Sequence, residues 1–111
     1  MRNEQRILIL NVANRSSLPF VDGAAVVEVP CVVGRAGAVP TAVGDVPGHA
    51  RALIEAVKEV ERTAIRAALA GSRELAVQAL ALHPLVPSVS LARRIFDTHR
   101  SRDPELSRQF A

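Results

Sequence analysis

The feature that most constrains this chain is a helical pattern that runs unbroken from Pro47 to Gly71. Proline suits a first helical position, where an N–H would lack a partner anyway. Glycine suits the residue just past a helix end, because it enters the left-handed conformation at least cost. Between them Leu53, Val57, Val60, Ala64 and Ala68 recur at three- and four-residue spacing and predict one apolar stripe, widened by Ile54 and Ile65. Glu55, Glu59, Arg62 and Arg66 fall on the other side, and Glu59 stands three residues before Arg62, within pairing reach. At 1.5 Å per residue such a helix is a rod of about 36 Å, long enough to be the spine of a small domain.

The rest of the chain is arranged about that rod. Its 111 residues predict a single domain, with a strand and loop part over 1–46 and a helical part over 47–111. Residues 6–12 (RILILNV) and 26–33 (VVEVPCVV) are β-rich runs of continuous apolar character, as in strands covered on both faces. Pro30 removes a ladder donor and predicts an edge or a bulge for the second run. NRSSLPFVDG between them reads as a loop, and a Gly- and Pro-rich stretch from Gly34 to Gly48 leaves room for a short strand at Val39 to Val43. Beyond Gly71, Ser72 predicts the cap of a helix over Arg73 to Leu82, and Ser88 the cap of another from Val89 to about His99. Asp103–Pro104–Glu105 opens a last short turn. The expected class is α+β, with short strands packed on a three-helix cluster.

Composition narrows the function classes. Nearly half the residues are apolar but only three are aromatic, Phe20, Phe96 and Phe110, so the core must be aliphatic. No apolar run approaches the 18 or so residues of a membrane span, and no signal-peptide pattern opens the chain. A single cysteine permits no internal disulfide and fits a reducing cytoplasm. The net charge of +3 comes from thirteen Arg and one Lys. These cations alternate with acids, except in the tail at Arg93, Arg94, Arg100, Arg102 and Arg108, where aromatic residues for base stacking are wanting. Neither nucleic acid nor a membrane is the expected partner. The two strands and three helices carry more apolar surface than 111 residues can cover, which predicts either a second copy or a missing domain against them.

Few residues are placed for chemistry. Asn14 and Arg15, in NVANRS where a strand gives way to a loop, are the candidates for the edge of a substrate site. Against that, asparagine commonly bonds its own backbone in turns. Glu28 lies among valines, and Glu61 lies in the helix stripe between Ile54 and Ile65, where a structural bond to an arginine or a backbone N–H is expected. Cys31 reads as a small buried hydrophobe. His49, His83 and His99 are scattered, with His83 expected to act as a cation or donor at a helix end. VGRAGAV only loosely suggests a phosphate cradle and precedes no helix. No catalytic residue, cofactor-binding residue or metal ligand is expected within this chain.

The runs NVANR, VVEVPC and VKEVERTAIRAALAGSRELAVQALALHPLV resemble, in order and spacing, the C-terminal stretch of family-4 glycoside hydrolases. The similarity is greatest to the 6-phospho-β-glucosidase branch and covers about Ile7 to Thr98. The resemblance implies a parent enzyme that uses NAD and a divalent metal, usually manganese, to cleave phosphorylated glycosides by transient oxidation and elimination. It implies an N-terminal dinucleotide-binding domain joined to a C-terminal domain like that of lactate and malate dehydrogenases, assembled as dimers or tetramers. The family's glycine-rich loop, metal-binding Cys and His, and catalytic base belong upstream of the matching stretch, so no metal role passes to Cys31. Asn14–Arg15–Ser16 stands where relatives commonly have Asn-Arg-Gly, and Val39–Pro40 where many have His-Pro. The chain is thus expected to be the scaffold and oligomerisation portion of such an enzyme, inactive alone, either a truncated gene product or an excised piece of a longer chain. The rivals are a subunit that completes the site of a split enzyme, and a binding module that uses the basic tail.

Overall fold

The computed structural model describes residues 5–111. They form an α+β structure of two compact units, divided between Pro47 and Gly48.

The first unit is an antiparallel sheet of β1 (Arg6–Ala13), β2 (Val26–Gly34) and β3 (Gly37–Pro40), in that order. β1 pairs with β2 from Arg6 opposite Val33 to Ala13 opposite Val26. β2 turns into β3 through Arg35 and Ala36, and Gly37 takes φ +93° to close the hairpin. The third strand therefore begins two residues before the expected Val39, because the glycine-permitted turn fixes the register. Pro30 is a second correction: it lies in the central strand rather than at an edge. Its carbonyl accepts from the backbone N–H of Thr41 at 2.9 Å, so its nitrogen faces that side too, beyond the end of β3 at Pro40. The missing donor interrupts no bond to β1. Alternate residues Val27, Val29 and Cys31 are buried, whereas Glu28 is exposed.

The second unit is helical: α1 (Gly48–Ala70), α2 (Arg73–Leu82), α3 (Val89–Arg102) and α4 (Pro104–Gln109). Gly71 ends α1 at φ +59°. The N–H of Ser72 bonds the carbonyl of Ala67 at 3.0 Å, and the N–H of Gly71 bonds that of Ala68 at 3.4 Å, the paired closure that releases a chain from a helix. The Ser72 hydroxyl then accepts from Leu75 N–H at 3.3 Å and starts α2. Ser88 does the same for α3 through Leu91, and Asp103 for α4 through Glu105 and Leu106. α3 runs three residues past His99, until Asp103 is taken as the cap of α4.

The apolar stripe of α1 is a further correction. Leu53, Ala64, Ile65 and Ala68 are exposed, and the inward line is instead Ala56, Val60, Thr63 and Ala67, with Thr63 and Ala67 fully buried. The inward line is rotated by roughly 70° from the expected one, at 100° per residue. A link of only Gly71 and Ser72 folds α2 back directly on α1. Such close helix approach selects small residues for the contact, in preference to the largest ones. Ala67 joins Val77, Ala92, Phe96 and Phe110 in the core of the unit. Phe96 and Phe110 meet edge to face with centroids 5.2 Å apart, so the two aromatics of this unit sit in one cluster. Arg73 crosses from α2 to Asp97 on α3 through two contacts of 2.9 Å. Glu61 is exposed rather than buried in the stripe, and it pairs with Lys58. No helix among the described residues is long and apolar enough to cross a membrane.

Candidate functional site

The loop that joins β1 to β2 is the most heavily built feature of the first unit, and both candidate residues lie at its entrance. β1 delivers Asn14 to the loop interior, where it is wholly shielded from solvent. Its Nδ2 donates to the carbonyls of Val21 at 2.7 Å, Leu18 at 3.0 Å and Asp22 at 3.2 Å. Its Oδ1 accepts from Leu18 N–H at 2.8 Å. The backbone N–H of Asn14 reaches Ala25 O at 2.7 Å, and its carbonyl takes Ser17 N–H at 2.9 Å. One side chain thus substitutes for the regular ladder across a stretch that has no strand partner. Asp22 closes the exit by accepting from the N–H groups of Ala24 and Ala25. Val43 N–H bonds Ser17 O at 2.9 Å, which ties the segment after β3 to the same loop.

Arg15 is exposed and has φ +52°, the only non-glycine described residue in the left-handed region. That conformation is uncommon for a residue with a Cβ and persists where its surroundings over-determine it. Here Arg15 N–H is held by Gly23 O at 2.8 Å, and a Cβ on Gly23 would stand 3.0 Å from Arg15 O. Glycine at position 23 lets the two arms of the loop approach. Because the left-handed residue is Arg15, the serine at position 16 occupies ordinary backbone, and the absence of glycine there imposes no strain. The two candidates therefore divide: Asn14 is consumed in holding the loop, and Arg15 is the group the loop presents. Sequence reasoning did not single out Asp22 and Gly23, although an Asp-Gly pair at the end of a loop is a turn signal.

Other singled-out residues are dispersed. Cys31 is fully buried with its thiol directed to Val29 O at 3.4 Å. Leu85 N–H donates to His83 Nδ1 at 3.2 Å, so that nitrogen accepts a bond in the turn after α2, where a donor had been expected. VGRAGAV is the β2–β3 hairpin, with no helix following its glycines. Among the described residues no three His, Cys, Asp or Glu side chains converge as metal ligands.

Comparison with known proteins gives this arrangement a lineage. The model of the family 4 glycosyl hydrolase C-terminal domain matches residues 1–86. A probable 6-phospho-beta-glucosidase of Bacillus subtilis is 38% identical over 88 residues, which are 79% of this chain and 20% of that protein. A maltose-6'-phosphate glucosidase of Fusobacterium mortiferum is 33% identical over 95 residues, 86% of this chain and 22% of its own length. Among solved structures, the 6-phospho-beta glucosidase of Thermotoga maritima with manganese, NAD+ and glucose-6-phosphate superposes with a TM-score of 0.82 at 33% identity, over 94% of this chain and 26% of that one. A 6-phospho-alpha-glucosidase from gut microorganisms, in complex with NAD and glucose-6-phosphate, gives 0.85 at 26% identity, over 94% and 24%. The chain spans about a fifth of the length of the curated relatives it matches. With the motif order, the fold and the family model in agreement, the chain belongs to the family 4 glycosyl hydrolases, as their C-terminal domain.

Proposed function

We propose that this chain is the C-terminal scaffold and oligomerisation portion of an NAD- and divalent-metal-dependent 6-phospho-β-glucosidase-like enzyme, without turnover of its own. The observation that carries the reading is a contrast. The fold follows phosphoglucosidase structures over nearly the whole chain, yet Arg51, Glu55, Arg73 and Asp97 are engaged in surface pairs and Asp103 in a helix cap. The residues present do not fit either cofactor of the relatives. The glycine-containing turn is a hairpin between antiparallel strands, which offers no helix N-terminus to a pyrophosphate. The described histidines and the buried cysteine do not meet as ligands. No reaction step is assigned to them. What this chain contributes is form: Asn14 locks the β1–β2 loop, and Arg15 stands at its surface as a cation suited to an anionic group. The buried free thiol of Cys31 goes with a reducing, cytoplasmic setting.

The experiment is direct. Pure chain is incubated with NAD, manganese and a chromogenic 6-phospho-β-glucoside, and no release of the chromophore is expected. Turnover that depends on NAD and metal would overturn the proposal. A second reading is favoured by the strained, exposed Arg15: the chain completes the site of a split enzyme whose nucleotide domain is a separate polypeptide. Co-expression with such a domain should then give a complex whose substrate KM rises on Arg15→Ala. Two chains that purify apart would remove that reading.

A further inference from the structure

The second helix is apolar on more sides than its neighbours cover. Seven of the ten residues of α2 are Leu, Ala or Val, and it packs against α1 and α3. A helix of that composition is stable when most of its circumference is covered. Along its open side α2 and α3 leave a cleft of about 300 Å³. Val77, only 7% exposed, forms the floor. Ala81 and the 53% exposed Val89 continue it toward the connection between the helices. At the other end Arg73 holds the two helices together through its contacts of 2.9 Å with Asp97, and its guanidinium carbon lies 6.0 Å from the Phe96 ring centre.

The charges on the rim say what fits the cleft. Glu74 stands on the α2 side and Arg93 on the α3 side, and both are exposed. Glu74 meets only the Ser72 hydroxyl, at 3.4 Å, and neither side chain has an ion partner among the described residues. An apolar floor between one anionic and one cationic rim is the pattern by which one helix selects another. We propose that this groove binds an amphipathic helix of a partner protein, whose apolar stripe is flanked by acidic residues on the Arg93 side and basic residues on the Glu74 side. Such a helix completes a bundle with α2 and α3: its stripe covers Val77, Ala81 and Val89, and both rim charges gain counter-ions. A polyanion fits less well. Glu74 and Asp97 stand in the same patch and repel phosphates, and no aromatic residue lines the cleft to stack on a base. The proposal goes beyond the scaffold reading, since α3 begins at Val89, past residue 86 where the match to the family model ends.

The probe is a synthetic helical peptide of about 18 residues, with leucines along one stripe, glutamates on one flank and lysines on the other. It is titrated into the full, isotopically labelled chain and followed by amide NMR. The expected result is saturable shifts at Val77, Ala81, Val89 and Arg93, with a Kd on the order of 100 µM. Val89→Asp should weaken binding at least tenfold. Because Val89 is half exposed at the start of α3, far-UV circular dichroism should not change. Arg93→Glu makes both rims acidic and should weaken binding at least threefold whichever way the peptide runs; adding Glu74→Lys should restore it. The proposal is overturned by the absence of saturable shifts, by shifts confined to other residues, by a Val89→Asp chain that binds like wild type, or by a double reversal that restores nothing. An oligothymidine or a phosphatidylserine vesicle that occupies this groove and excludes the peptide would overturn it too. Turnover by the chain would end the preceding reading and leave this titration unaffected.

Discussion

Replacing Asn14 tests whether one buried amide holds the β1–β2 loop. In Asn14→Ala, Leu18 N–H loses its acceptor and Val21 O loses a donor at 2.7 Å. The carbonyls of Leu18 and Asp22 keep the N–H groups of Val21 and Ala25. Two buried polar groups are left without partners at about 1–2 kcal/mol each, which gives a loss of about 3 kcal/mol. That is a large part of the 5–15 kcal/mol that holds a domain of this size together. Urea unfolding followed by far-UV circular dichroism should show the midpoint fall with the slope unchanged. Asn14→Asp refines the test, because it sets a carboxylate oxygen against the carbonyls of Val21 and Leu18, where the wild type has an N–H. The folded state then favours the protonated acid, so its pKa rises above the unfolded value of about 3.9. Stability is fully present below the unfolded pKa and is lost as pH rises through the higher folded pKa. Asn14→Asp should therefore be weaker than Asn14→Ala at neutral pH and recover toward pH 4. A wild-type midpoint for Asn14→Ala would show that the loop holds itself without the amide. An Asn14→Asp protein as stable as wild type at neutral pH would show that its Nδ2 does not face those carbonyls.

The helical unit yields further expectations. Gly71→Ala should destabilise by about 2 kcal/mol or more in thermal melts, because the left-handed φ and a Cβ only 2.7 Å from the backbone carbonyl of Gln109 act together; an unchanged midpoint would refute the closure described for α1. Phe96→Ala opens a cavity beside Phe110 and should lower stability by about 3–4 kcal/mol in urea titrations. Asp103→Ala removes a cap that serves two N–H groups, and about 1 kcal/mol should be lost, with faster amide exchange confined to α4. A double-mutant cycle on Arg73 and Asp97 should give a coupling of only about 0.5–1 kcal/mol, since both side chains are substantially exposed, and it should shrink in high salt.

How far this fold could be read from sequence depended on the reach of each interaction. Helix ends were legible because a cap acts over two to four residues. Ser72, Ser88, Asp103 and Gly71 all fall where their chemistry placed them. The ranges of β1 and β2 were legible from continuous β-branched and aliphatic runs. The face α1 turns inward was not, because a two-residue link to α2 set the helix spacing and made Thr63 and Ala67, rather than Leu53 or Ile65, the residues that fit. Pro30 misled for a similar reason. Its rule concerns a donor, and only the end of β3 at Pro40 reveals that the donor was not needed. The candidate loop was located by the strand-to-turn transition at Asn14, but the division between a buried Asn14 and a presented Arg15 depends on carbonyls up to eight residues away. The same limit of range explains the uncovered sheet face. Continuous apolar runs predicted strands covered on both faces, whereas among the described residues only the face of Val27, Val29 and Cys31 is buried. Ile7 and Ile9 stay exposed on the other face, because apolar character along a strand does not by itself say which side the rest of the fold reaches.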